Sequence, residues 1–114
     1  QIMKILINEK VIIMAGTDSD NPYAFPGFSL HDELALYVEF GMTPIDALRT
    51  ATIIPIKYLK MTDSLGNIKN GKLADMVLLD ANPLDNIKNT TKINTVIANG
   101  KIYNKDYIDS VLKR

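Results

Sequence analysis

Two carboxylates, Asp18 and Asp20, follow a run of five apolar residues, Val11-Ile12-Ile13-Met14-Ala15, that breaks at Gly16. An acid just past a buried strand is placed to ligate a cation or to take a proton from a polarised water. In parallel α/β folds the loops at the C-terminal ends of strands carry the chemistry. The competing reading of Asp18, beside Gly16 and Thr17, is a turn former or the cap of a following turn. The alternation of Asp18 and Asp20 does not make a calcium loop. That template takes Asp or Asn where Pro22 stands, and Gly where Tyr23 stands.

The other residue types with chemical potential are few. His31 is the only imidazole. Near the start of a helix after a loop it faces a ligand or serves the helix, and a lone histidine is more often structural or solvated. Tyr23, Phe25 and Phe28 either line an apolar pocket or pack their loop onto outer helices. Residues 66–73, GNIKNGKL, match a phosphate-binding loop as far as Lys72. Leu73 stands where the magnesium-binding hydroxyl belongs, and the segment leads into a strand rather than a helix. It reads as a turn. Asn89-Thr90-Thr91 fits a glycosylation sequon, a pattern short enough to arise by chance. With no cysteine, disulfides, thiolate chemistry and cysteine zinc sites are excluded.

The totals point the same way. Thirteen basic residues balance 13 acidic ones, which gives no footprint for nucleic acid or an anionic membrane surface. No apolar run approaches the roughly 20 residues of a membrane helix. The chain has 114 residues, the length of one small domain. It begins at Gln1, and QIMKILINEKV reads like the middle of a longer chain rather than a targeting segment. A cytoplasmic setting is the favoured expectation, with the native start out of view.

Certain elements must position these residues. Ile2, Ile5 and Leu6 share a helical face over residues 2–9. Residues 11–15, continuous and rich in branched side chains, predict a strand covered on both faces. A punctuated loop follows, with Pro22, Pro26 and Gly27. Ser29 then caps a helix that carries Leu30, Leu34 and Val38 on one face and stops at Gly41. Thr43, Pro44 and Asp46 open a second helix, which Pro55 should kink or split. Beyond Met61 the pattern changes to turns and short strands at 76–79, 93–98 and 101–103. Asn99-Gly100 marks a hairpin between the last two. A short amphipathic helix closes the chain over residues 105–113.

In order, AGTDSD, FPGFSLHDELALYVEFGMTPIDALRTATIIPIKYLKM, DSLGNIKNGKLADMVLLDANPLDNI and INTVIANGKIY resemble the C-terminal portion of metal-dependent amidohydrolases. The group they resemble most is the imidazolonepropionase-like and prolidase-like one. The resemblance implies an α/β fragment: the last βα unit of a (β/α)8 barrel plus C-terminal strands of the flanking β-sandwich. Residues 1–61 would be the end of the barrel, with a helix, strand eight and the following helices. Residues 62–114 would be the C-terminal part of the sandwich with a terminal helix. The resemblance assigns Asp18 as metal ligand and proton shuttle, and it puts His31 near the barrel mouth, where it and Tyr23 are candidate substrate contacts.

The same resemblance implies a divalent metal, zinc, in a full-length enzyme acting on a small-molecule substrate with an amide-type C–N bond. A dipeptide, cyclic amide, carbamate or urea would qualify. The histidines and the lysine or glutamate that complete such a metal centre have no counterpart here, and catalytic zinc usually takes three protein ligands. These 114 residues alone are therefore expected to bind no catalytic metal tightly and to hydrolyse nothing. A strand stripped of its neighbours should self-associate or pair with the missing portion. The alternative is a non-catalytic folding or oligomerisation module. The length of the native reading frame separates the two.

Overall fold

The computed structural model describes residues 1–19 and 21–113. Helix α1 (Ile2–Asn8) leads into an extended segment and a turn-rich loop, followed by α2 (Ser29–Glu39), α3 (Pro44–Thr50) and α4 (Ile53–Tyr58). Strand β1 (Met76–Leu79), a 3₁₀ helix (Ile87–Thr91), strands β2 (Ile93–Ala98) and β3 (Lys101–Asn104), and helix α5 (Lys105–Leu112) complete the chain.

The helix boundaries follow from local chemistry. Gly41, at φ 109°, ends α2: its amide donates to the Val38 carbonyl while that of Met42 donates to Tyr37. This paired closure satisfies two carbonyls that the helix leaves open. α1 and α4 close in the same way with lysines in the left-handed position, Lys10 and Lys60. Thr43 caps α3 by accepting from the Asp46 amide, and Pro44 occupies the first turn. The cap expected of Ser29 is not formed. Ser29 is already helical, and its Oγ accepts from the Phe25 amide at 2.7 Å, bracing the loop instead. The split expected at Pro55 falls at residues 51–52. A proline ring excludes the carbonyl four residues earlier, here Ala51, so the break moves upstream and Pro55 sits in the first turn of α4.

The strands form one antiparallel sheet in the order β1-β2-β3. Val77 pairs with Val96, and Val96 with Tyr103. Asn99 and Gly100 both take positive φ, as a tight two-residue hairpin turn requires. Gly66, at φ 93°, turns the chain against α4. A Cβ there would stand 2.8 Å from Ile53 Cδ1 and 3.2 Å from Ile56 Cβ, so a side chain would crowd α4 as well as strain the backbone.

The strand expected at residues 11–15 is not formed. The segment is extended, but among the described residues no strand pairs with it. A parallel strand needs neighbours from distant parts of a chain, and these residues supply none. The eighth barrel strand of the expected βα unit is thus absent as a paired element. Val11, Ile12 and Met14 stay exposed, Ile12 at 82%, while Ile13 and Ala15 pack against the core. Ile2 and Ile5 of α1 are exposed as well.

The core is small. Leu34 and Tyr37 from α2, Ala47 from α3 and Ile87 from the 3₁₀ helix are buried together, beside the buried Thr50 and Thr90. Residues from both sides of Met61 therefore share one core. The accessible surface is 8652 Å². A folded monomer of 12.7 kDa is expected to expose roughly 6,200 Å². The radius of gyration, 15.0 Å, likewise exceeds the roughly 13 Å of a compact chain this long. Much apolar surface stays open.

Candidate active site

Asp18 lies where the extended segment turns. Two bonds hold the segment just before it. The Ala15 amide donates to the Thr50 carbonyl at 3.0 Å, which ties the segment to the end of α3. The Gly16 amide is shared between the two carboxylate oxygens of Glu33, at 3.1 Å each. Glu33 is half-buried on α2 and also accepts from the Tyr37 hydroxyl one helical turn on. Burial, then the Glu33 hydrogen bond, pushes the Tyr37 phenol well above its ordinary value. The hydroxyl therefore stays protonated and keeps donating.

Asp18 itself is exposed and takes φ 48°, a left-handed conformation that Asp tolerates better than most residues. Its Oδ2 accepts from Asn21 Nδ2 at 2.6 Å, and its carbonyl accepts from the Asn21 amide at 3.0 Å. The turn-forming reading of Asp18 holds: the backbone makes the turn, and the carboxylate is left exposed. Asp20 lies outside the described residues.

The remaining candidates are not gathered around Asp18 by any bond. Tyr23 is 92% exposed, and Phe25 and Phe28 are exposed too. This overturns the expectation that these aromatics pack the loop down onto the helices. Backbone turn bonds hold the loop instead, Ala24 to Asn21 and Phe28 to Phe25, so its rings need no partner to keep it folded. His31 is half-buried, and its Nδ1 lies 3.0 Å from Thr90 Oγ1. The Thr90 hydroxyl already donates to the Ile87 carbonyl, so Nδ1 is the donor in this pair and the neutral ring keeps its lone pair on Nε2. His31 ties α2 to the 3₁₀ helix.

Among the described residues no three His, Cys, Asp or Glu side chains stand together as a cation site. One carboxylate, already bonded to Asn21, does not by itself fit a divalent metal. An open apolar groove of about 360 Å³ lies between the extended segment and α3, lined by Val11, Ile13, Met42, Thr50 and Ile54 among others. Neither Asp18 nor Glu33 borders it.

Sequence reasoning missed Glu33 and Tyr37. The signal was present: residues 30, 33, 34 and 37 form one helical stripe, Leu-Glu-Leu-Tyr. A carboxylate inside an inward-facing apolar stripe needs a partner, and Gly16 supplies one.

The chain belongs to the amidohydrolase family, whose sequence profile matches residues 1–103. It is 36% identical over 84 residues to the ochratoxinase of Aspergillus niger, which covers 72% of this chain and 16% of that protein. It superposes with a TM-score of 0.81 on an Xaa-Pro dipeptidase crystallised with methionine in its active site. That match has 31% identity over 90% of this chain and 25% of the other. A molinate hydrolase matches at a TM-score of 0.85 and 28% identity, over 96% and 27% respectively. The chain thus spans about a sixth of the curated relative and about a quarter of the similar structures.

Proposed function

We propose that these residues are the C-terminal part of a hydrolase of amide-type C–N bonds and that Asp18 carries the proton in its reaction. The observation that carries this reading is the exposed Asp18 carboxylate. It ends an apolar extended segment anchored at Ala15 and Gly16, in a chain of the amidohydrolase family. Residues 11–15 then form the last strand of a barrel whose other strands lie outside the chain. An interior packed with branched side chains and a reactive rim explain why the apolar run ends in an acid. The carboxylate accepts a proton from the attacking water and returns it to the leaving nitrogen, so the proton count closes over one turnover. Asp18 is also one donor to a divalent metal, zinc, whose remaining ligands come from elsewhere in the complete protein. Tyr23, on its exposed loop, is available to a substrate. His31 commits Nδ1 to Thr90, which leaves Nε2 as its contact to substrate.

The substrate class is a dipeptide, cyclic amide, carbamate or urea. The test compares the complete protein with its Asp18→Asn variant on an Xaa-Pro dipeptide, a cyclic amide, a carbamate and a urea, with metal content measured alongside. Loss of a general acid–base group should lower turnover by about 10²- to 10⁴-fold. Turnover within twofold of wild type would remove Asp18 from the chemistry, and a wild-type protein inert on all four compounds would sink the hydrolase reading.

We further propose that the open apolar surface is an assembly face, for the rest of the protein or for a second copy. The excess surface and the unpaired residues 11–15 support this. Sedimentation of the 114-residue chain should show association. A compact monomer would refute it.

A further inference from the structure

The bond between Glu33 and Gly16 joins residues 17 positions apart and reaches the segment two residues before Asp18. An ionised carboxylate receiving a backbone N–H makes a stronger bond than a neutral acceptor would. Glu33 cannot easily swing away, because the buried Tyr37 holds one of its oxygens and α2 fixes its backbone. The next backbone amide up the segment, that of Ala15, is held by a carbonyl, as ordinary packing of extended chain requires. Only at Gly16 does a charged side chain take over. Beyond it lie Thr17 and then Asp18, whose left-handed backbone is the point where a small displacement of the chain would re-aim the carboxylate.

We propose that Glu33 is a positioning residue for Asp18: its carboxylate on the Gly16 amide, backed by the Tyr37 hydroxyl, fixes the bend from which Asp18 is presented. This rests on the reading of Asp18 as the reacting carboxylate. Glu33 touches no reacting atom, so its loss should act on the turnover step rather than on substrate binding.

The experiment uses the complete protein and whichever of the four compounds it hydrolyses fastest. Glu33→Ala should lower kcat by about 100-fold, the cost of misplacing a reacting group by an ångström or so, while KM stays within about threefold. Glu33→Gln keeps an acceptor oxygen without the charge and should restore kcat to within about tenfold of wild type. It also decides the matter if Glu33→Ala does not fold. Amide exchange at Gly16 should speed up in Glu33→Ala and less so in Glu33→Gln. An unchanged kcat in both folded variants, with Asp18→Asn inactive, overturns the positioning role and leaves the proposed function standing. A fall confined to KM also overturns it. A fully active Asp18→Asn overturns the reading of Asp18 and this inference with it.

Discussion

Residues 11–15 and the strands at 93–98 and 101–104 all carry branched apolar side chains, yet they end up differently. The second stretch folds on itself. A two-residue turn at Asn99-Gly100 brings β2 and β3 into register, and β1 joins from fewer than 20 residues upstream. The first stretch pairs with no strand among the described residues. An antiparallel hairpin closes a short loop, whereas a parallel strand requires neighbours a crossover or more away. Strand pairing is thus settled locally in the hairpin region, and local sequence alone does not settle it for residues 11–15. The contrast has limits, because Val77, Leu78 and Ile102 of the sheet are exposed as well. The hairpin region pairs its strands but leaves faces open; residues 11–15 make isolated backbone bonds at Val11 and Ala15 and pack only Ile13 and Ala15 against the core.

Several substitutions would break or sharpen this comparison. The largest effect is expected at Leu34, in the core that joins both regions. Leu34→Ala in the complete protein should cost about 2–5 kcal/mol and lower one shared unfolding transition seen by chemical denaturation. Two separate transitions, only one of them shifted, would mean that the regions fold independently. Gly66→Ala comes next. Its positive φ and the 2.8 Å approach to Ile53 Cδ1 combine strain with overpacking, for about 2–4 kcal/mol. Gly100→Ala, with open space around it, should cost only about 1 kcal/mol. Equal costs at the two glycines would show that backbone strain alone decides. Ile12→Asp removes a wide-open apolar side chain and should weaken self-association of the 114-residue chain by at least about tenfold in sedimentation. If Ile102→Asp weakens it equally, the sheet face and not residues 11–15 carries the association.

The smallest effect concerns pH. The folded state favours the neutral Tyr37 phenol, so its contribution to stability is complete below the unfolded value near pH 10 and is lost as pH rises beyond it. Tyr37→Phe should flatten the stability profile in that alkaline range, as measured by denaturation at successive pH values. An unchanged slope would show that the phenol ionises as readily in the folded chain as in the unfolded one.

Much of the layout could be read from residues alone. The bounds of β1 and β2 and the hairpin at Asn99-Gly100 follow from short apolar, branched runs set between turn residues and from a dipeptide that accepts positive φ. The Thr43-Pro44-Asp46 start and the Gly41 stop are likewise local rules acting within one helical turn. Legibility fails where a choice depends on something distant. Ser29 is a good cap by type, but the loop drew its hydroxyl to Phe25 instead. His31 reads as a ligand or a helix group until Thr90, 59 residues away, arrives beside it. Glu33 looks like one more solvated acid until Gly16 is folded against it.

By itself the sequence determined the α-helices, the strands of the sheet and the hairpin turn, though not the fate of residues 11–15 or the 3₁₀ helix, and that one acid would stand after an apolar run. Those outcomes rest on backbone sterics and on side-chain periodicity over a few residues. Tertiary structure alone decided how that acid is held. The Gly16 amide, the Glu33 carboxylate and the Tyr37 hydroxyl meet only after α2 has packed beside the extended segment, because a hydrogen bond is directional and short.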